Sequence, residues 1–395
     1  MLAQLHRAHE EVITSLIFSP HVPTVFCSTS GDDTACFWDY RCCIESGENK
    51  PEKLFALQYH AGPVNHALFL PDPNLFLTAS DDCSLALWDL RNPTSPIGVV
   101  SGFTQGINKM LLLPPMGSGC LPPNSSDVVV ASACDDGCVY IHSLVFPTDA
   151  DEKPCEVGAL LDKFMVSTYP VNDLAFLNNK LITATEDSAL RSWNLQASTE
   201  DRMIATIDEF ESAVNHVVVV PDPDWMGKKQ EAAGGQNTDV VQPSVVEETR
   251  LDDDEGGAAC DGGAPAEERP PNSEEQFSEW VLVACAENVF GVAVSPTTGT
   301  FGEEVRRFIA HTDYVRGLEF TNEKTLVTIS DDCTAIEWDL LSSNPIRQVK
   351  LHDTLLMASC LSSDRTILAT GTDSGDIRLW KLPFETECLT ETSNN

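Results

Sequence analysis

A short unit that recurs along the chain constrains its fold more than any other feature. Each copy has a run of small and apolar residues, an acidic pair or its remnant, a second short apolar run and then a tryptophan. Short apolar runs on both sides of a turn signal predict paired β-strands. The five best copies lie at 29–41, 79–91, 183–195, 328–340 and 369–382. Their recurrence predicts an all-β fold assembled from small repeated sheets.

Four copies also have a histidine at a nearly constant distance upstream of the tryptophan. The pairs, separated by 27 to 29 positions, are His9 and Trp38, His60 and Trp88, His311 and Trp338, and His352 and Trp380. After each histidine comes a segment of alternating polarity, such as 12–18 or 64–70. Such alternation predicts a half-buried strand ahead of the two that flank the turn.

These units resemble WD repeats, in which each copy forms one four-stranded blade of a β-propeller. Two degenerate copies at 128–144 and 280–295 keep the strand pattern, with His142 and Val294 in place of the tryptophan. The resemblance therefore implies a seven-bladed β-propeller with four-stranded antiparallel blades, formed by residues 1–385 as one domain. Residues 386–395 are predicted to be a flexible C-terminal tail.

Residues 221–279 differ in composition from the repeats. They contain 16 acidic and 4 basic residues, many glycines and prolines, and almost no aliphatic periodicity. Such a segment cannot bury enough apolar surface to offset the entropy lost on ordering. It is therefore predicted to be a disordered acidic insertion between the first two strands of blade five.

The two ends of the chain are predicted to meet in one sheet. A strand-like segment at 2–7 precedes the first histidine, and the last repeat ends soon after its third strand. Residues 2–7 are therefore expected to supply the outer strand of blade seven. This arrangement would close the ring and leave blade seven without an open sheet edge.

The acidic pairs are interpreted as parts of the fold. In WD repeats an acid six positions before the tryptophan lies in the turn between strands two and three. There it accepts hydrogen bonds from the turn and from the histidine, and the resemblance implies the same role here. The residues with a predicted structural role in the blades are His9, Asp32, Trp38, His60, Asp82, Trp88, Asp136, Asp187, Trp193, His311, Asp332, Trp338, His352 and Trp380.

Catalytic and metal-binding functions have no support in the sequence. Acidic pairs spread around a ring do not converge on one cleft, as two catalytic carboxylates must. The sequence lacks EF-hand spacing, CxxC pairs, and the GxxxxGK[ST], GxSxG and HExxH motifs. We therefore expect a protein that is not an enzyme and has no catalytic residue, metal or cofactor.

The charge and the cysteines limit the partners and the compartment. A net charge of -37 repels phosphate backbones, so direct nucleic-acid binding is not expected. The same charge favours encounters with basic proteins such as histones or ribosomal proteins, unless it only keeps the chain soluble.

Fourteen cysteines without a disulfide framework indicate the cytosol or the nucleus. No segment is apolar enough over about 18 residues to span a membrane.

Two arginines lead to a more specific hypothesis. Arg41 and Arg91 each lie three positions after a tryptophan, in the WDxR sequences of two consecutive blades. Such pairs resemble those of propeller substrate receptors for cullin–RING ubiquitin ligases, in which the arginines help to dock the adaptor protein. The alternative is an ordinary ion pair at the surface or within each blade.

The sequence thus predicts an interaction scaffold, monomeric within a larger complex, and leaves two functions open. The first is a ligase substrate receptor that docks through Arg41 and Arg91. The second is an acidic chaperone or binding module for basic clients, which would use the acidic surface and the insertion at 221–279.

Overall fold

A computed structural model describes residues 1–114, 128–146, 154–198, 201–221 and 278–384. Within these ranges the strands form seven separate sheets, each built on four antiparallel strands. The prediction of an all-β, seven-bladed propeller is confirmed. The disorder predicted for 221–279 concerns almost entirely residues outside the described ranges, and the predicted tail at 386–395 also lies outside them.

The strands are numbered in chain order. β1 (Ala3–Leu5) precedes blade one, which consists of β2 (Ile13–Phe18), β3 (Val25–Ser30), β4 (Thr34–Asp39) and β5 (Glu52–Gln58), with the helix α1 (Arg41–Glu45) between β4 and β5. Blade two consists of β6 (Val64–Phe69), β7 (Leu75–Ser80), β8 (Leu85–Asp89) and β9 (Gly98–Val100). Blade three consists of β10 (Ile107–Leu113), β11 (Val128–Cys134), β12 (Cys138–Leu144) and β14 (Gly158–Met165), and β13 (Cys155–Glu156) precedes β14.

The remaining blades follow the same order. Blade four consists of β15 (Val171–Leu177), β16 (Lys180–Thr185), β17 (Leu190–Asn194) and β18 (Met203–Ile207). Blade five consists of β19 (Val214–Val219), β20 (Glu279–Cys285), β21 (Asn288–Val294) and β22 (Phe301–Ile309). Blade six consists of β23 (Val315–Asn322), β24 (Thr325–Ser330), β25 (Thr334–Asp339) and β26 (Asn344–Lys350). Blade seven consists of β27 (Leu356–Leu361), β28 (Ile367–Thr372), β29 (Ile377–Lys381) and β1.

The blades pack face to face around a central axis. The first strand of each blade contacts the first strands of both neighbours, so these seven strands form the innermost layer. The second and third strands are almost wholly buried, because both of their faces are covered by neighbouring blades. Between blades one and two, for example, Phe37 meets Phe76 with ring centroids 4.9 Å apart. This burial explains why these strands are nearly continuous apolar runs instead of alternating ones.

The ring is closed by the first residues of the chain. Ala3 pairs with Leu379 and Leu5 with Ile377, which makes β1 the antiparallel outer strand of blade seven. Both Ala3 and Leu5 are buried. The structure therefore has the closure that the sequence predicts, with the start of the chain and its last described strand in one sheet.

Blade two departs from the four-stranded pattern. Its outer strand β9 has three residues and pairs in parallel with β13, which comes from the connection between the third and fourth strands of blade three. The Glu156 carboxylate accepts hydrogen bonds from the Ser101 backbone N–H at 3.1 Å and the Ser101 hydroxyl at 2.6 Å. This connection therefore covers an edge that would otherwise be open.

No helix in the part of the chain that the structure describes is long and apolar enough to cross a membrane.

Candidate functional site: the turn face of the propeller

One end of the propeller brings together two sets of loops, and we call this end the turn face. It contains the turns between second and third strands and the connections that lead into first strands. Backbone bonds join the two sets, as from Asp81 N–H to the Pro63 carbonyl at 3.0 Å and from Asp331 N–H to the Tyr314 carbonyl at 2.9 Å. The turn face comprises residues 6–12, 31–33, 59–63, 81–84, 101–106, 135–137, 166–170, 186–189, 208–213, 286–287, 310–314, 331–333, 351–355 and 373–376.

A buried hydrogen-bond network holds these loops in blade one. The Nδ1 atom of His9 lies 2.9 Å from the Asp32 carboxylate, and its Nε2 atom lies 2.7 Å from the Ser28 hydroxyl. The indole N–H of Trp38 donates to the same hydroxyl at 2.8 Å. Equivalent networks occur in blade two, with His60, Asp82, Thr78 and Trp88, and in blade six, with His311, Asp332, Thr328 and Trp338. The acid of each network therefore ties the turn to the connection and is not free to act on a substrate.

The network in blade one shifts the titration of both ionisable partners. Burial of the His9 ring favours the neutral imidazole, but hydrogen bonds with Asp32 and Cys36 outweigh it and raise the His9 pKa to about 9. Burial also favours the neutral Asp32 carboxyl, but hydrogen bonds from His9 and Thr34 hold its pKa well below the usual range. The two groups are therefore a charged pair at neutral pH.

This pair predicts a specific pH dependence of stability. A raised histidine pKa stabilises the fold fully below the unfolded value of 6.5, and this contribution is lost as the pH rises through about 9. The lowered Asp32 pKa stabilises the fold above 3.8, and this contribution is lost in acid. When the pH rises from 6 to 10, the free energy of unfolding should fall in wild type by up to about 3 kcal/mol more than it falls in His9→Gln. Urea denaturation at each pH measures the difference, and parallel curves would contradict the assignment.

Blades four and seven have incomplete versions of the network. In blade seven, His352 Nε2 and the Trp380 indole meet the Thr370 hydroxyl at 2.9 and 3.0 Å. Ser374 takes the place of the acid, and burial and nearby Arg378 lower the His352 pKa to about 3. In blade four, Trp193 donates to Thr183 at 3.0 Å. There Ser167 replaces the histidine and donates to Asp187 at 2.6 Å, and Arg191 also binds this carboxylate.

Blade three has a different arrangement. Asp136 accepts hydrogen bonds from Tyr140 at 2.7 Å and Lys163 at 3.2 Å. His142, at the tryptophan position, has a buried Nδ1 atom with no hydrogen-bond partner among the described residues. The same holds for the hydroxyl of Ser132, which occupies the position of Ser28 in blade one. Blade three therefore keeps the hydrogen bonds of its turn acid and lacks the buried hydrogen bonds at the serine and tryptophan positions.

Sequence reasoning missed a second set of contacts, which link each blade to the next. In every blade the second residue of the first strand is skipped in the pairing with the second strand, which is a β-bulge. Three of these residues are asparagines that donate to the first residue of the following inner strand. The bonds are Asn65 to the Ile107 carbonyl at 3.2 Å, Asn108 to Val171 at 3.0 Å and Asn172 to Val214 at 2.9 Å. The recurring Val-Asn or Ile-Asn pairs were the available signal.

The first acid of several acidic pairs binds this bulged residue in its own blade. Asn108 donates to Asp135 at 2.7 Å, and Asn65 donates to Asp81. In blade six, Arg316 makes hydrogen bonds of 2.7 and 3.0 Å to Asp331. The two acids of such a pair therefore hold different loops, which accounts for both carboxylates without any catalytic role.

The exposed part of the turn face is strongly acidic. Arg7 is the one lysine or arginine in the turn-face ranges defined above. Three exposed tyrosines lie among the acids, namely Tyr59, Tyr169 and Tyr314. The exposed acids are Glu10, Glu11, Asp81, Glu186, Asp208, Glu209, Glu211, Glu287, Asp313, Asp353 and Asp373. Carboxylates beside aromatic faces suit lysine and arginine side chains, which form ion pairs and cation–π contacts.

The two WDxR arginines lie after third strands, at the other end of the blades. Arg41 Nε donates to Asp39 at 3.0 Å, and Arg91 donates to Asp89 at 2.9 and 2.6 Å. Their side chains remain 62% and 70% exposed. The structure thus contains the ion pair within each blade, and partner binding by Arg41 and Arg91 stays a prediction.

In the described residues, no three His, Cys, Asp or Glu side chains are grouped closely enough to hold a metal ion.

Comparison with known proteins identifies the repeats. The family model "WD domain, G-beta repeat" matches residues 2–39, 51–89, 302–339 and 343–381. These are the blades that have both the histidine and the tryptophan. These four blades are WD repeats. The first matched WD repeat begins in the strand that closes the ring.

The chain is also similar to parts of larger proteins. It is 20% identical over 393 residues to apoptotic protease-activating factor 1 of Homo sapiens and 32% identical over 403 residues to that of Rattus norvegicus. Both similarities cover 97% of this chain and 26% of the relative, so the chain spans about a quarter of these relatives. A guanine nucleotide-binding protein subunit beta of Solanum tuberosum is 34% identical over 88 residues, 22% of each chain.

Proposed function

We propose that this WD-repeat propeller is a non-enzymatic interaction scaffold whose turn face binds basic segments of partner proteins. The observation that carries the proposal is the concentration of exposed acids and tyrosines on one face, whose loops contain a single arginine. The strand cations that reach this face, such as Arg191 and Lys350, are each paired with an acid. Propellers built from the matched repeats are typically non-enzymatic scaffolds of this kind. One relative is named as a subunit, which agrees with a role inside an assembly.

The physical properties of the face suit this role. The buried networks of blades one, two and six fix the loops, so a partner would not have to order them on binding. The net charge of -37 would speed encounters with basic proteins and repel nucleic acids. Tyrosines supply contact area at a low entropic cost because their side chains have few rotatable bonds.

A charge-reversal experiment tests this proposal with a matched control. Asp208, Glu209 and Glu211 are three exposed acids of one turn-face connection, so their replacement by lysine should weaken binding of a fluorescent lysine-rich peptide by at least about tenfold. The control is Glu45→Lys/Glu48→Lys/Glu52→Lys, which makes the same change in net charge away from the turn face. Fluorescence anisotropy over a salt series gives the affinities. If both variants bind the peptide equally weakly, the effect comes from net charge alone and the turn face is not the binding site.

A ligase substrate receptor is the second candidate, favoured by the common geometry of Arg41 and Arg91. Equivalent aspartates hold both guanidinium groups, and both groups stay largely exposed. Arg41→Ala/Arg91→Ala should then remove a cullin-ligase adaptor from the proteins that copurify with wild type, with little effect of salt. Lys324→Ala, on an exposed hairpin, is the control, and an unchanged partner list would exclude docking through the arginines. The cytosolic or nuclear location and the monomeric state remain predictions.

A further inference from the structure

The centre of the propeller contains a polar channel that neither proposal uses. Two adjoining cavities of about 170 and 140 Å³ lie between the first strands. Both are lined by Lys109, His216, Arg316 and Ser359, so they form one continuous space around these four side chains. Side chains of blades three, five, six and seven therefore converge there.

Two of these side chains have nitrogen donors without a hydrogen-bond partner among the described residues. Lys109 Nζ lies 3.7 Å from Asp173 Oδ1, which is beyond hydrogen-bond distance. Arg316 uses Nε and one Nη atom for Asp331 and has its other Nη atom left over. The His216 ring contacts Asp173 through Nδ1 at 3.0 Å and also borders the space. Ammonium and guanidinium groups that face the same small space are the usual donors to an oxyanion.

The acids of the channel pair with its cations, Asp173 with Lys109 across 3.7 Å and Asp331 with Arg316 at 2.7 Å, and leave other N–H groups of both cations unused. The Asp173 carboxylate is already occupied, because it accepts from the backbone N–H groups of Leu174 at 2.7 Å and Val217 at 3.1 Å and from His216. Glu319 accepts a hydrogen bond from Ser359 at 3.0 Å, and burial raises its pKa to about 7. A large fraction of Glu319 is therefore neutral near pH 7.

We propose that the channel binds a small oxyanion of the phosphate or sulfate type between Lys109 and Arg316, beside the His216 ring. The inference goes beyond the proposed function, since the site lies inside the ring and not on the acidic turn face. An anion bound there would contact blades three, five and six together. It would therefore stabilise the ring by linking blades that are not all neighbours.

Equilibrium dialysis of the full chain with radiolabelled sulfate at pH 6.5 tests the site. Wild type is expected to bind one sulfate, and Lys109→Met to bind it at least about tenfold more weakly, since a charge-assisted hydrogen bond is lost. Lys324→Met is the control, because Lys324 is exposed on a hairpin outside the channel. No sulfate bound by wild type, or equal binding by both variants, would overturn the proposal.

Two additions keep the test decisive. If Lys109→Met does not fold, as judged by its urea midpoint, Lys109→Gln replaces it and is expected to weaken sulfate binding as well. Unlabelled phosphate and glycerol 3-phosphate then serve as competitors. Competition by phosphate alone indicates a free anion, competition by both indicates a phosphate ester, and the absence of competition by either contradicts an oxyanion site.

Discussion

Deletion of residues 1–8 is expected to lower the free energy of unfolding by about 3–6 kcal/mol, far more than loss of a frayed terminus would. The deletion removes β1, in which Ala3 and Leu5 are buried. It also removes the ladder to Leu379 and Ile377 and the bond from Arg7 N–H to Asp376 at 2.8 Å. Blade seven would be left with three strands and an open edge.

The measurement is urea denaturation of the deletion against wild type. The matched control removes eight residues from the other end, 388–395, which the sequence predicts to be flexible. A synthetic peptide of residues 1–10 added in trans should restore part of the loss, because it can pair with β29 in the same register. If the first deletion and the control unfold at the same urea concentration, β1 contributes nothing to closure.

The second large effect is expected from Ser28→Ala, which should cost about 2–5 kcal/mol of unfolding free energy. The Ser28 hydroxyl is the common partner of His9 Nε2 at 2.7 Å and the Trp38 indole at 2.8 Å. Its removal leaves two buried nitrogen groups unpaired, and each such group carries a desolvation penalty of about 1–3 kcal/mol. The methyl group of alanine cannot replace either bond.

The same substitution in blade three supplies the control. Ser132 occupies the equivalent position, and its buried hydroxyl has no partner among the described residues. Ser132→Ala should therefore change stability by less than about 0.5 kcal/mol or increase it slightly, because it removes an unsatisfied polar atom. If Ser28→Ala and Ser132→Ala lower the free energy of unfolding equally, the cost comes from the lost volume of the side chain and not from the hydrogen-bond network.

The repeats explain how much of the fold the sequence predicts. The histidines, turn acids and tryptophans recur at fixed spacing because each blade needs the same buried contacts, so one copy identifies the others. The connection that places β13 beside β9 has no counterpart in the other blades as far as the structure describes them. An isolated pairing of two residues leaves no periodic signal, which is why sequence reasoning did not find it.

The functional surface was harder to predict for a physical reason. Net charge is a sum over the chain and gives no position, so the acidic turn face emerges only when the loops of seven blades are brought to one end. The channel residues Lys109, His216 and Arg316 are each ordinary polar positions of inner strands. Their significance depends on convergence across blades that are up to about two hundred residues apart in the chain.

The hydrogen bonds from bulged residues to the following blade occur along only part of the described ring. Thr14, Asn65, Asn108 and Asn172 link blades one to five in succession. In blade five, Asn215 has a buried amide nitrogen without a partner in the described residues, and blade seven has Met357, which cannot donate. Blades one to five are thus joined by one recurring bond, whereas the later interfaces use other contacts, such as the bond from the Ser359 hydroxyl to Glu319 at 3.0 Å. A substitution at one of the Val-Asn or Ile-Asn pairs would therefore act on two blades at once, because the same asparagine holds its own blade and the next.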